Sequence, residues 1–482
     1  MQQQSFLKNL FFLLILNVLI KPFYLLGIDV SVQNQVGTEA YGVYFALLNF
    51  SFLFNIVLDL GINNYNNRMV AGTPSLLTER FSVIIPAKFG LSIMYFAVSL
   101  LIASVLGFGN MEIEMLLWLL FNQLLVSFIL YFRSNLSALH LFKTDSVVSV
   151  LDRMLLIIIM SVLLWGNLGD YTLKIEHFIY AQTIAYAFTL SIAYALNKPH
   201  LSRFRFSFKF SQVKSLFSKS IPYAFLILLM MLYTRLDGVM IERIHPDGGL
   251  EAGIYAQGFR IMDAFNMVAF LFAGILLPVF SRLLAEGKDY TPIMLTAFRL
   301  LFSFVTLIGV AAYLYSDELL RFFYTSNYPH ASEVFIYLMA TLSAFATTYI
   351  FGTLLTANGS LKQLNRIALV GLAVNFTLNL VLIPEYGATG AAIATLVTQG
   401  ITALAQLLLC QIMFNWKPNF PFIRKFVLFL GGLVGMVVLI RFLKLDFPVG
   451  ISLLVVGIIA WSFLTRWVTI AMAVNLLKKS AK

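Results

Sequence analysis

Eight basic side chains stand inside stretches of sequence that are otherwise apolar: Lys21, Lys88, Arg133, Arg153, Arg235, Arg260, Arg299 and Arg466. Only four acids share those stretches, Asp59, Asp152, Asp237 and Asp263. The balance is positive where charge is most expensive, which makes these residues functional candidates. Guanidinium and ammonium groups held away from water bind phosphate or carboxylate through charge-assisted, often bidentate hydrogen bonds. The chemistry they imply is recognition of an anion. Asp237 and Asp263 follow Arg235 and Arg260 by two and three residues, and only the second spacing fits one helical face. With Asp59, these acids either neutralise the cations or carry a coupling ion. No catalytic set is apparent. Cys410 is alone, the five His lie in loops or near the ends of apolar runs, and there is no metal-ligand spacing, P-loop or nucleophile elbow.

The elements that must position these residues follow from composition. Of 482 residues 60% are apolar and 11% charged, and the mean hydropathy is +0.87. Soluble domains have about 45–50% apolar and about 25% charged residues. Surface still grows with mass, and no soluble chain of 54.2 kDa could hide this much apolar side chain. A secreted enzyme, a nucleic-acid-binding protein and a disordered tail are excluded. Runs of the roughly 20 apolar residues that a crossing needs predict an all-α polytopic membrane protein of about fourteen spans. The first, near 8–28, reads as a retained span, because no A-x-A site follows and the run continues through Lys21-Pro22 to Gly27. The second is expected near 40–62, the seventh near 220–241 and the last near 449–474. Every loop is short, with no room for a soluble catalytic domain.

The formal charge of +11 is mostly a topology signal. Twenty Lys and Arg fall in loops on the N-terminal side, against Lys174, Arg243, Arg321, Arg441 and Lys444 opposite. The split predicts both termini in the cytoplasm. The longest loop, 197–219, alternates cations with rings from Arg203 to Phe210. Such a segment either lies on the anionic inner leaflet or serves only as a topogenic loop. It separates an N-lobe of six spans (1–196) from a C-lobe of six (220–413), with two further spans and a tail in 414–482. The lobes align at an offset near 214: Glu39-Ala40-Tyr41-Gly42-Val43-Tyr44 answers Glu251-Ala252-Gly253-Ile254-Tyr255, and Arg68 with Gly72 answers Arg282 with Gly287. Six spans per copy makes the repeat parallel, as in transporters built from two lobes.

The offset pairs Lys21 with Arg235 and Lys88 with Arg299, which suggests two tiers of cations facing a cleft between the lobes. On ideal helices Lys21, Arg235 and Arg260 lie about 10–12 Å from the outer ends of their spans, and Lys88 and Arg299 about 10 Å from the inner ends. Arg133 and Arg153 are nearer the cytoplasm. Lys88, Arg133, Arg153 and Arg299 either snorkel to the headgroups or line the cleft. Arg466 lies outside the repeat and reads as a structural contact.

Three stretches resemble the polysaccharide-exporter branch of the multidrug/oligosaccharidyl-lipid/polysaccharide superfamily, which includes the Wzx-type O-antigen and capsule flippases. They are Tyr41-Gly42-Val43-Tyr44 leading to Asp59-Leu60-Gly61 and Arg68; Arg235-x-Asp237 followed by Gly253-Ile254-Tyr255 and Arg260-Ile261; and Asn375-x3-Asn379 through Ile383-Pro384-x-Tyr386-Gly387 to Gly390 and Thr395. The resemblance spans roughly residues 5–413. It implies a two-lobe fold with a cavity of alternating access, and a cargo of undecaprenyl-diphosphate-linked oligosaccharide. It also implies a bacterial inner membrane and polymerase or chain-length proteins as partners, with no nucleic acid and no cofactor beyond coupling to H⁺, Na⁺ or the membrane potential. A lipid II flippase is the nearest alternative. A drug/cation antiporter would favour acids in its cavity, and a membrane glycosyltransferase or O-antigen polymerase would need a long outer loop.

Overall fold

The computed structural model describes residues 17, 19–166, 172–201, 228–229, 231–416 and 419–469. Among these every regular element is helical. The basic loop from Arg203 to Phe210 lies outside the described residues. Among the described residues ten helices are long and apolar enough to cross a bilayer, or eleven when the bent pair Thr38–Leu53 and 55–72 is one span. The outward side chains are apolar: Phe322 and Phe442 are each 81% exposed, as lipid-facing rings are. By contact the chain divides into two units, Met1–Gly253 and Ile254–Lys482.

In the first unit, two spans depart from their hydropathy limits. The first helix runs over 19–36 rather than stopping near 28, with a π-helical stretch at Tyr24–Asp29 just past Pro22. Pro22 cannot donate to the helical ladder, and π-turns commonly accommodate such a defect. The polar residues that seemed to end the span are buried and bonded. Tyr41 OH donates to Asp29 Oδ2 at 2.8 Å, and Gln33 Nε2 donates to Gly253 O at 2.9 Å. The second span is broken: Thr38–Leu53 gives way to a 3₁₀ turn at Asn55–Leu58 and resumes as Ile62–Gly72, bent by 47°. Leu60 and Gly61 turn the chain with φ of 44° and 80°. The helices Leu77–Val105, Asn110–Ala138, Phe142–Trp165 and Ile175–Asn197 follow in order.

The two copies of the repeated motif meet within this unit. A Cβ on Gly42 would sit 1.9 Å from Gly249 O, and one on Gly253 would sit 2.0 Å from Thr38 O. Glycine at these positions lets the start of Thr38–Leu53 cross the start of Gly248–Ala285 backbone to backbone, the close approach that small residues permit between helices in lipid. Arg243, at the end of helix 231–244, pairs with both Glu242 and Glu112 beside this crossing's sequence neighbours.

The second unit is built on Gly248–Ala285, Thr291–Phe323, Tyr328–Ala357 and Leu361–Met413. At 53 residues the last would be about 80 Å long if straight, more than twice the hydrocarbon core. It turns at Gly387 (φ 50°, ψ −127°), three residues past Pro384, and supplies length for two crossings. Its buried face carries Asn375, Asn379, Gln399 and Gln406, with Asn379 Nδ2 donating to Asn375 Oδ1 at 3.2 Å. The helices Phe420–Phe442 and Phe447–Leu464 have no counterpart in the repeat. Trp467 ties them down: it is fully buried, stacks on Phe429 at 5.3 Å and donates from Nε1 to Ser303 Oγ at 2.9 Å.

Candidate cationic site

Among the described residues, the embedded cations differ in what their own unit offers them. Lys88, only 1% exposed, donates to Leu58 O at 2.9 Å and to Ser127 Oγ at 2.8 Å, and its ammonium lies 3.6 Å from Asp59 Oδ1. Its three donors all have partners nearby. Arg133 Nε donates to Asp145 Oδ1 at 2.7 Å. Arg299 is buried with its guanidinium 5.3 Å from the ring centres of both Phe422 and Trp467. Arg235 lies 5.2 Å from the Phe52 ring centre, and Asp237 beside it is buried. Arg260 is 7% exposed. Asp263, half-buried on the same helix, makes no hydrogen bond or ion pair among the described residues, so the i+3 spacing from Arg260 does not become an ion pair. Arg466 lies past the end of Phe447–Leu464 in a turn with φ of 51°, outside any span.

Lys21 and Arg153 are brought together. Because the first helix continues to Val36, Lys21 lies about 22 Å from that end by helical rise. The shorter span expected from hydropathy put it about 10 Å from the outer end. It shares a level with Asp152 and Arg153, whose charges, with that of Arg133, are the ones acting on it. Three residues earlier on the neighbouring helix, Ser149 Oγ accepts from Asn17 Nδ2 at 3.3 Å and fixes the register of the two helices.

Arg153 is well held. Nη1 donates to Tyr186 OH at 3.1 Å, Nε lies 3.7 Å from Asp152 Oδ2, and the guanidinium faces Tyr24 at 4.8 Å. The Lys21 ammonium, half-buried, makes no hydrogen bond or ion pair among the described residues. Asp145 and Asp152 offset two of the three cations and leave one positive charge over. A lone ammonium beside a guanidinium in a low-dielectric site is unfavourable until an anion joins it. The residues that frame this site, Tyr24, Asp29, Tyr41 and Tyr186, carried no signal as a set. Tyr41 alone was marked, by the repeated motif.

An apolar-faced helical chain with this many spans is a multi-pass membrane protein. The family model described as "Polysaccharide biosynthesis protein" matches residues 6–284, more than half of the chain, and the chain belongs to that family. An uncharacterized membrane protein of Methanocaldococcus jannaschii is 25% identical over 389 residues, 75% of this chain and 88% of that one. Among solved structures, the lipid II flippase MurJ in an inward closed conformation superposes with a TM-score of 0.69 at 16% identity, covering 96% of this chain and 99% of its own. An inward-facing multidrug resistance transporter of the MATE family gives 0.58 at 14% identity, covering 82% and 94%. These likenesses establish the fold: that shared by MurJ and the MATE transporters.

Proposed function

We propose that this protein is a flippase that carries undecaprenyl-diphosphate-linked oligosaccharide units from the cytoplasmic to the outer leaflet, for O-antigen, capsule or exopolysaccharide synthesis. The observation that supports this reading is the Lys21 ammonium, which stands beside Arg153 and makes no hydrogen bond or ion pair among the described residues. A diphosphate brings at least two negative charges and acceptor oxygens for both the ammonium and a guanidinium edge. The cargo's headgroup meets Lys21 and Arg153 first, and Arg235 and Arg260 later in an alternating-access cycle. Its polyprenyl tail stays in lipid. The protein sits in the cytoplasmic membrane with both termini inside, as the loop charges direct. H⁺, Na⁺ or the membrane potential supplies the energy, and the polymerase and chain-length proteins of the same pathway take the product.

The test is translocation of a fluorescent undecaprenyl-diphosphate oligosaccharide in proteoliposomes of the purified full chain. Lys21→Gln is expected to reduce the rate about tenfold, the loss of one charge-assisted contact. An unchanged rate would remove Lys21 from the mechanism. The second reading, lipid II as cargo, draws on the name of the structure with a TM-score of 0.69. Faster flipping of lipid II than of the oligosaccharide lipid in the same vesicles would favour it.

A further inference from the structure

The second unit contains a cavity of about 660 Å³ that the proposed transport path does not use. It lies where Thr291–Phe323 begins, Leu361–Met413 ends and Phe420–Phe442 begins. Its interior is lined by Met294, Phe298, Phe302, Phe351, Phe422 and Phe426. Phe298 and Phe302 pack against Phe426 at 6.5 and 5.4 Å between ring centres as one aromatic wall, and the Arg299 guanidinium lies 5.3 Å from the Phe422 ring centre. At the helix ends the lining becomes polar: Gln411, Asn415 and Asn419 are exposed, and Thr291 closes the rim.

We propose that this cavity holds an acyl chain of an anionic phospholipid, with the lipid's phosphate at the polar rim. Three observations choose that occupant. The first is depth: from Thr291 to Phe302 the wall rises about 17 Å by helical pitch, close to the roughly 15 Å of hydrocarbon in one leaflet. The second is the gradient from rings to amides, which suits an amphiphile entering tail first. A soluble small molecule would need polar groups placed in the interior to orient it, and Thr347 is the one such side chain away from the rim. The third is charge. Arg424, exposed, and Lys425 follow the lining residue Ile423 in the same helical turn, where they meet an anionic headgroup. The occupant is a resident lipid that joins Phe420–Phe442 to the rest of the unit, and it is distinct from the cargo.

The full chain, purified into nanodiscs containing phosphatidylglycerol and phosphatidylcholine, would be released into native mass spectrometry. One phosphatidylglycerol is expected to remain bound in preference to phosphatidylcholine. Leu295→Trp fills the cavity and is expected to lower that retention about tenfold, or 1.4 kcal/mol. Asn419→Asp tests the rim without endangering the fold. Asn419 Oδ1 accepts from Phe422 N at 3.1 Å as a helix cap, and aspartate caps equally well. Its charge should cancel the preference for phosphatidylglycerol and leave phosphatidylcholine retention as it was. The proposal is overturned if both variants keep the wild-type retention and preference. It is equally overturned if undecaprenyl phosphate at equal concentration displaces the phospholipid from the wild type but not from Leu295→Trp, because the cavity would then belong to the isoprenoid chain.

Discussion

Lys88 Nζ donates to the main-chain carbonyl of Leu58 at 2.9 Å, so a cation inside one span closes the break in its neighbour. The break needs such a partner. Where the helix yields at Asn55–Leu58 and turns through Leu60 and Gly61, carbonyls lose their helical donors. Lipid offers no substitute. Ser127 Oγ also lies 3.2 Å from Leu58 O, and Asp59 balances the charge. The Asp59-Leu60-Gly61 stretch is therefore a bend with its own counter-charge.

Replacing Lys88 by methionine keeps the stem and removes the ammonium. It should cost roughly 3 kcal/mol, because Asp59 and the Leu58 carbonyl are both left behind. Melting followed by tryptophan fluorescence in detergent would register a clear fall. Adding Asp59→Asn to Lys88→Met should return part of the loss. A double variant no more stable than the single one would contradict the pairing.

Gly42→Ala and Gly253→Ala each place a methyl within about 2 Å of a main-chain oxygen, and the backbone cannot yield that far cheaply. Either should lower folded yield sharply. Gly400→Ala, with open space around its Cβ, is the control. It should be neutral or stabilising by up to about 1 kcal/mol, as alanine is in a helix. Size-exclusion profiles of the three variants would separate these outcomes.

Arg153 and Lys21 should fail differently. Arg153→Ala removes a group bound to Tyr186 and Asp152, so both melting temperature and transport should drop. Lys21→Ala removes like-charge repulsion and should spare stability while slowing transport. Arg235→Ala and Arg260→Ala are expected to abolish translocation at normal membrane expression. Normal flipping in both variants would take them out of the path.

Orientation can be read by cysteine labelling, because the native Cys410 is buried. With both termini inside, Asn110→Cys should react with an impermeant maleimide on intact cells. Lys288→Cys, on the basic side, should react only after permeabilisation. The reverse pattern would invert the topology.

Hydropathy located nearly every helix, since the requirement for apolar cover in lipid is local and summable. It gave the turn between the spans at Gly387. It failed at Asp29 and Gln33, where polar residues were a poor guide to where the first span ends, and at Asp59, where it ran the second span straight through a bend. Their partners, Tyr41, Gly253 and Lys88, are 12, 220 and 29 positions away.

Composition alone determined that this chain belongs in a membrane, and the sequence showed that cations stand within its apolar stretches. Which of those cations remains available for an anion was decided by the tertiary structure. Basic residues of similar character in the sequence become a brace for a broken helix at Lys88, an ion pair at Arg133, a ring contact at Arg299 and, among the described residues, an ammonium without an ion-pair partner at Lys21. The reason is physical. The cost of a buried charge is set by whatever lies within a few ångströms of it, and those neighbours come from other helices.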